Sequence, residues 1–208
     1  MVSPEPNVAE IPAQRLLDVV IRSSLAPMLK CDGYRKAGHT FRKKQPRCVL
    51  VVNVQASQWS SKEALKFTVN LGAFYPELNE VMQRGSWARP SASGPTEALC
   101  HIRERLGRLT PRQRDVWWEL RVDSPPLAAS TEVMEALRDY GLPWLRTMSD
   151  LVTARRHAET RGQVVEAAAF AILEGSRDEA QKLIVAFLSD RPHATAIRAW
   201  ARQAGLLD

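Results

Sequence analysis

The sequence predicts an α+β fold: an antiparallel sheet of about four strands packed with helices, followed by a C-terminal α-helical bundle or hairpin module. Two runs, Val49–Ser57 and Leu65–Ala73, alternate apolar and polar residues. A period of two is typical of antiparallel strands with one buried face. From Pro143 onward the apolar residues instead recur at helical spacing, in short segments ended by glycines. Strands followed by helices therefore define the fold class.

The chain is expected to begin with a flexible, proline-rich tail over residues 1–10, followed by a helix over Ile11–Lys30. Leu17, Ile21 and Leu25 lie on one apolar face of this helix. Pro27 should kink or restart it, because proline removes a backbone donor. A short strand is predicted around His39–Lys43.

The two central strands predict a sheet with one apolar and one polar face. Leu50, Val52 and Val54 should be buried against the apolar side of the next strand. A fourth strand over Val116–Val122 should bury Trp118 and Val122. The opposite face carries amides, a guanidinium and an indole that can bind a ligand by hydrogen bonds or stacking. The candidate binding residues there are Arg42, Asn53, Gln55, Thr68, Asn70, Trp117 and Arg121. An ordinary solvated face, or one covered by a helix, is the alternative.

The segments between and after the strands complete the layout. Tyr75–Gly94 should be irregular, and Thr96–Leu106 should form a short helix. A further helix should start at Ser130 or Thr131 and stop at Gly141. This layout divides the chain into an α+β domain over residues 11–141 and a helical C-terminal module over residues 142–208.

Positive charge is concentrated in two stretches. The net charge is +6, and residues 30–47 hold seven Lys or Arg against a single Asp. Residues 103–114 hold five more arginines. Such patches attract acidic or phosphate-rich partners. The alternative is a solvated hairpin rim, where Lys and Arg also discourage pairing between sheet edges. The predicted basic patch consists of Arg35, Lys36, Lys43, Lys44, Arg103 and Arg105.

Motifs for catalysis, metals or cofactors are absent from the sequence. The four histidines and three cysteines do not have metal-ligand spacing, and the glycines do not form a phosphate-binding loop. We therefore predict no catalytic residue, no metal and no cofactor. An odd number of cysteines without an export signal favours reduced thiols in the cytoplasm, and no apolar run is long enough to predict a membrane span.

Five stretches, taken in order, resemble an uncharacterised and mainly bacterial family, domain of unknown function 4304. They are Leu29–Arg42 (LKxxGYRKxGxTFR), Val51–Gln55 (VVNVQ), Phe67–Gly72 (FTVNLG), Arg103–Gly107 (RxRLG) and Trp117-Trp118. The resemblance covers roughly residues 12–140 and implies an α+β domain. It implies no activity, cofactor or catalytic residue.

Three classes of function follow from these observations. The first is a non-enzymatic protein-binding or adaptor module, one form of which is a toxin-immunity protein, with an acidic partner favoured by the charge. The second is nucleic-acid binding through residues 30–47 and 103–114, with Tyr34, Phe41 and Trp59 as nearby aromatic residues. The third and weakest is an enzyme with a composite site on the polar sheet face.

Overall fold

A computed structural model describes residues 13–61, 63–82, 90–125 and 127–208 of the chain. The predicted flexible tail over residues 1–10 lies outside these ranges, as do residues 83–89 of the segment expected to be irregular. No helix in the described residues is long and apolar enough to cross a membrane.

The first helical segment runs as predicted, with a local change of winding. Helix α1 (Ala13–Val20) passes through a π-helical turn (Ile21–Leu25) into α2 (Ala26–Cys31). Pro27 lies in the first turn of α2, where a missing backbone donor costs nothing. Leu17, Ile21 and Leu25 are buried. The predicted apolar face is therefore confirmed, and the proline marks a restart of the α-helix.

In the residues that the structure describes, the sheet is antiparallel throughout and has six strands, whereas about four were predicted. They are β1 (Arg35–Ala37), β2 (Thr40–Lys44), β3 (Val49–Ala56), β4 (Ala64–Phe74), β5 (Ile102–Arg105) and β6 (Trp118–Arg121). The strand order is β1-β2-β3-β4-β5, and β6 also pairs with β4. The long β4 strand makes this possible, because one edge pairs with β3 while the other edge holds β6 along its first half and β5 along its second.

The predicted apolar face is confirmed along the central strands. Leu50, Val52 and Val54 are buried, as are their counterparts Leu65 and Phe67 on β4. Val122 is an exception, since it lies beyond β6 and is 38% exposed rather than buried.

Two predictions about segments next to the sheet were wrong, and one strand was not predicted. Residues 96–106 do not form one helix: a short 3₁₀ turn (Glu97–Leu99) leads into β5, because the free edge of β4 offers backbone partners there. The segment after β4 begins with a helix, α3 (Pro76–Val81), rather than irregular chain. Strand β1 was not predicted, because its three residues are all exposed and show no alternation.

The remaining helices form a nearly continuous series. They are α4 (Leu106–Leu109), α5 (Leu127–Ala136), a π-helical turn (Leu137–Gly141), α6 (Leu142–Thr147), α7 (Leu151–Thr160), α8 (Val164–Leu173), α9 (Arg177–Asp190) and α10 (Thr195–Gln203). The prediction that a helix starts at Ser130 or Thr131 and stops at Gly141 was wrong. A Cβ at Gly141 would lie 2.8–3.3 Å from atoms of Leu137, Leu106 and Leu71, so this glycine serves close packing instead of helix termination.

The C-terminal helices pack on the apolar side of the sheet. The Tyr75 ring, at the end of β4, meets the Phe170 ring of α8 edge-on with centroids 4.9 Å apart. The Tyr75 hydroxyl donates a hydrogen bond to the Met148 carbonyl oxygen, and burial raises the pKa of this hydroxyl. One hydrophobic cluster joins the sheet to residues up to Leu206. At the β5 edge, Arg161 directly after α7 pairs with Glu104 at 3.7 Å and lines a small cavity with Gln55 and Asn70, so the C-terminal module also borders the polar face there.

Candidate functional site

The polar face of the sheet is held in place by a chain of amide hydrogen bonds. Asn70 donates to Gln55 Oε1 at 2.8 Å and, at 3.4 Å, to Asn53 Oδ1. Asn53 in turn donates to Thr40 Oγ1 at 3.0 Å. Asn70 is only 4% exposed, and its amide therefore stabilises the pairing of the strands. Side-chain ladders of this kind explain why strands carry residue types that they usually avoid.

The other candidate residues from the sequence lie on the same face but not in one pocket. Thr68 is fully buried and donates to the Val116 carbonyl oxygen at 3.0 Å. Trp117 donates to Asp115 and stacks under Arg105, with 5.3 Å from the guanidinium carbon to the ring centroid. Arg121 is paired with Asp123 and Glu119 near the start of β4. Each of these side chains therefore already has an internal partner.

The middle of the face is covered by the segment over residues 91–100, which we call the crossing segment. Its Cys100 packs with Val51 and Phe74 in a small second cluster of buried residues. A Cβ at Gly72 would lie 2.6 Å from Cys100 Sγ, so the absence of a side chain at Gly72 is what admits this cysteine. Burial strongly raises the pKa of the Cys100 thiol, which is therefore a neutral packing group.

Between the crossing segment and strands β1 and β2 lies a cavity of about 670 Å³, which we call the hairpin cleft. Its walls combine cationic side chains with small and apolar residues. The lining residues are Gly33, Arg35, Lys36, Ala37, Arg42, Lys44, Val49, Ala92, Ser93, Gly94 and Pro95. Four of them are cations and none is a carboxylate. In the described part of the chain, none of these four cations forms an ion pair.

Arg42 is the most constrained of these cations. Its Nε donates to the Pro95 carbonyl oxygen at 2.6 Å, which ties the guanidinium to the crossing segment. Its Nη1 is buried and has no hydrogen-bond partner among the described residues. Burial lowers the pKa of Arg42, although an arginine remains protonated at physiological pH. The protein thus holds a partly desolvated cation at the wall of the cleft.

Lys43, also predicted for the basic patch, does not belong to the cleft. Its Nζ lies 3.4 Å from Asp32 and 5.7 Å from the centroid of the Tyr34 ring. Asp32 also accepts a hydrogen bond from Arg146 at 3.0 Å. Lys43 therefore belongs to an ion network that links the sheet to α6.

The second basic stretch, Arg103–Arg114, differs because it is largely neutralised; we call it the β5 cluster. Arg103 is bonded to Glu97 at 2.6 Å, and this hydrogen bond raises the pKa of Arg103. Arg105 pairs with Asp115, and Arg112 pairs with Glu132 at 2.9 Å. Within the residues that the structure describes, Arg108 and Arg114 have no ion pair. The predicted patch residues Arg103 and Arg105 are therefore already compensated.

Sequence reasoning missed several residues that shape the site. Gly94 and Pro95 form the outer wall of the hairpin cleft, and Gly72 sets the position of the crossing segment. A glycine-proline pair after an irregular stretch predicts only a turn. Nothing in the sequence places that turn over Arg42, 53 residues away in the chain.

The histidines and cysteines do not gather into a metal site in the described ranges of the chain. His39 pairs with Asp18, His101 contacts Asn79 and the Tyr75 backbone, and His157 lies against Trp144. These three histidines therefore have separate local environments.

A protein-family model described as "Domain of unknown function (DUF4304)" matches residues 25–147. This range runs from the end of the first π-helical turn to the end of α6, and it contains the whole sheet, the crossing segment and the hairpin cleft. No curated protein and no solved structure matches the chain.

Proposed function

The chain belongs to the family of the domain of unknown function DUF4304, and on that premise we propose that it is a non-enzymatic binding module that takes an acidic partner protein on its hairpin cleft. The observation that carries this proposal is the group of four cations lining one cavity without a carboxylate among its described lining residues. Keeping like charges together costs stability unless a ligand neutralises them.

The distribution of ion pairs supports a functional origin for this charge. Cations next to the group are paired, Lys43 with Asp32 and Arg47 with Glu77. Three arginines of the β5 cluster, Arg103, Arg105 and Arg112, are paired as well. Carboxylates are thus supplied at neighbouring positions and are missing from the described lining of the cleft. We infer that a partner provides them.

The aromatic residues favour a protein over single-stranded nucleic acid. Tyr34 and Phe41 are 3% and 0% exposed, so neither offers a face for a base. Trp59 is 86% exposed, but it follows the far end of β3. At about 3.3 Å per residue, the seven steps from Val49 to Ala56 place it more than roughly 20 Å from Lys44 and Val49, at one end of the cleft. Binding of single strands usually combines cations with stacking residues, and here the two are separated.

The amide chain likewise favours binding over catalysis. The predicted composite site would need polar groups free to contact a substrate. Asn53, Gln55 and Asn70 instead bond to one another, and Thr68 bonds to the backbone. We therefore propose that these residues maintain the sheet on which the cleft is built.

The proposal is tested by reversing the charge of two exposed cleft residues, Lys36→Glu with Lys44→Glu. The matched control is Arg15→Glu with Arg22→Glu, on the helix across the apolar face. Each double variant lowers the net charge from +6 to +2. We expect tagged wild type and the control to capture the same protein from a lysate of the native host, and the cleft variant to lose it. With the purified partner, the loss should be about tenfold or more, or roughly 1.4 kcal/mol, and it should shrink at high salt.

Equal capture by all three proteins would refute the assignment of the cleft. Recovery of DNA or RNA instead of a protein, with the same dependence on Lys36 and Lys44, would favour the nucleic-acid alternative. At 0.5 M salt the Debye length is only roughly 4 Å, so interactions between exposed charges are largely screened. A partner that stays bound at this salt concentration would show that charge is not the main attraction.

A further inference from the structure

We propose that the anchor recognised in the hairpin cleft is a phosphoryl group on a side chain of the partner, held by Arg42 with Lys44 and Arg35 around it. This inference rests on the proposed function and names the chemistry of the group that enters the cleft.

The state of the Arg42 guanidinium is the first argument. Its Nε is already bonded to the Pro95 carbonyl oxygen, so the plane of the group is set before a ligand arrives. The group borders the cavity while Nη1 is buried without an acceptor among the described residues. A preoriented and partly desolvated guanidinium attracts an oxyanion more strongly than a hydrated one, because the surrounding dielectric is low.

The wall behind this guanidinium is built to approach it closely. Gly94 has a φ of +98°, a conformation that residues with a side chain rarely adopt. A Cβ at this position would lie 2.8 Å from Cδ of Arg42. The crossing segment can therefore rest on the arginine only because residue 94 is a glycine. This contact holds the arginine at the edge of the cavity.

The amount of charge favours a phosphoryl group over a carboxylate. Arg35, Lys36, Arg42 and Lys44 line one cavity, and no carboxylate is among its described lining residues. A single carboxylate supplies one negative charge. A phosphorylated side chain carries about −1.5 to −2 at pH 7 and three acceptor oxygens. It can therefore bond the guanidinium groups of Arg42 and Arg35 and the ammonium group of Lys44 at the same time.

The size and walls of the cavity fit a side chain that carries this group. Its volume of about 670 Å³ is more than an inorganic anion needs. Ala37, Val49 and Pro95 line it beside the cations, so an aliphatic or aromatic stem has apolar surface to contact. A phosphorylated side chain offers both parts in one ligand.

The experiment uses the full-length, ¹⁵N-labelled protein and three probes. They are N-acetyl-O-phosphoserine amide, N-acetylglutamate amide and inorganic phosphate. We expect phosphoserine amide to shift the Arg42 Nε–H signal and the backbone amides of residues 35–44 and 91–95 in a saturable way. Glutamate amide and inorganic phosphate should bind at least about tenfold more weakly. Arg42→Gln should abolish the phosphoserine response, whereas Arg22→Gln, on the far helix, should keep it.

Three results would overturn the inference: equal affinity for phosphoserine and glutamate amides, equal affinity for inorganic phosphate, or an unchanged response in Arg42→Gln. If Arg42→Gln does not fold, the exposed Lys44→Gln variant replaces it and should weaken phosphoserine binding at least about threefold. Treating the captured partner with phosphatase separates the two proposals. Binding that needs Lys36 and Lys44 but survives phosphatase would leave the proposed function standing and refute the phosphoryl anchor.

Discussion

Two arginine-rich regions lie side by side on one face of the sheet, and they differ in whether carboxylates neutralise their positive charge. Arg42 of the hairpin cleft and Arg103 of the β5 cluster lie in the same row, since Arg42 pairs with Val51, Val51 with Gly72 and Gly72 with Arg103. Three strand spacings of about 4.8 Å put them roughly 14 Å apart. The crossing segment packs on the row between them.

The β5 cluster has carboxylates from three different segments, whereas the cleft has none in its lining. Glu97, Asp115 and Glu132 neutralise Arg103, Arg105 and Arg112. Surface ion pairs of this kind contribute little to stability, but they remove net charge from the surface. The comparison teaches that local density of Lys and Arg in a sequence overstates the free charge, and that only the unpaired region is a candidate for binding.

The largest expected effect comes from displacing the crossing segment, which lies between the two regions. Gly72→Ala would place a methyl group 2.6 Å from Cys100 Sγ, and lifting the crossing segment should cost about 1–3 kcal/mol in the free energy of unfolding. Urea denaturation measures this loss. Iodoacetamide with mass spectrometry should find Cys31 alkylated in the wild type, because it is exposed, and Cys100 alkylated additionally in the variant.

The control for this variant is Gly38→Ala, where a Cβ meets nothing within 4 Å but φ is +60°. It should carry only the cost of backbone strain and leave Cys100 protected. Cys48, which is buried and whose pKa burial raises to about 11, should stay protected in all three proteins. If Cys100 stays protected in Gly72→Ala and stability is unchanged, the crossing segment does not depend on this contact.

A slightly smaller effect is expected at the wall of the cleft. Gly94→Ala combines an unfavourable φ with a clash against Arg42 Cδ, a side-chain atom that can move. We expect a loss of roughly 1–2 kcal/mol in unfolding free energy, together with a changed Arg42 Nε–H signal and weaker partner binding. The β5 cluster should keep its signals, because Gly94 does not contact it. A uniform change over both regions would contradict their separation.

Removing the carboxylates that pair with the β5 cluster should leave its arginines without ion pairs, like the cations of the cleft. The free energy of unfolding should change by at most about 1 kcal/mol. Glu97→Gln with Asp115→Asn removes two carboxylate charges there. The control, Asp178→Asn with Asp190→Asn, raises the net charge equally, from +6 to +8. We expect the first variant to elute from heparin at higher salt than the control. Identical elution would mean that the ion pairs do not mask this cluster.

The smallest expected effect is a pH dependence next to the β5 cluster. Burial lowers the pKa of His157, and Arg161 lowers it further while Glu104 opposes the shift. The unfolded chain takes up this proton with an ordinary pKa of about 6.5, so stability should fall as the pH drops below that value. His157→Gln should reduce the loss between pH 7 and 5 by less than about 1 kcal/mol. Parallel stability curves for both proteins would contradict this account.

The sheet shows which strands a period-two pattern can predict and which it cannot. Strands β3 and β4 were predicted within one or two residues, because both alternate over at least eight positions. Strand β5 was missed, because Leu99, Ile102 and Leu106 also have helical spacing and a four-residue strand is too short to distinguish the two. The free edge of β4 decided the outcome by offering hydrogen-bond partners for residues 102–105.

The candidate site was likewise predicted only in part from the sequence. The sequence indicated both basic stretches and the polar row of Asn53, Gln55 and Asn70. It did not indicate that the amides bond to each other, or that Glu97 and Asp115 neutralise the second stretch while Arg42 stays unpaired. Ion pairing depends on distances of a few ångström between segments, and those distances follow from register and loop paths.

The sequence by itself determined the α+β class, the buried face of the central strands and the excess of positive charge, because these depend on local periodicity and composition. The tertiary structure alone decided which charges are free. It brought the crossing segment onto Gly72 and Arg42 and packed the C-terminal helices on the apolar side, as long-range packing and strand pairing required. Those contacts enclose the hairpin cleft, where four cations line one cavity and no carboxylate is among the described lining residues.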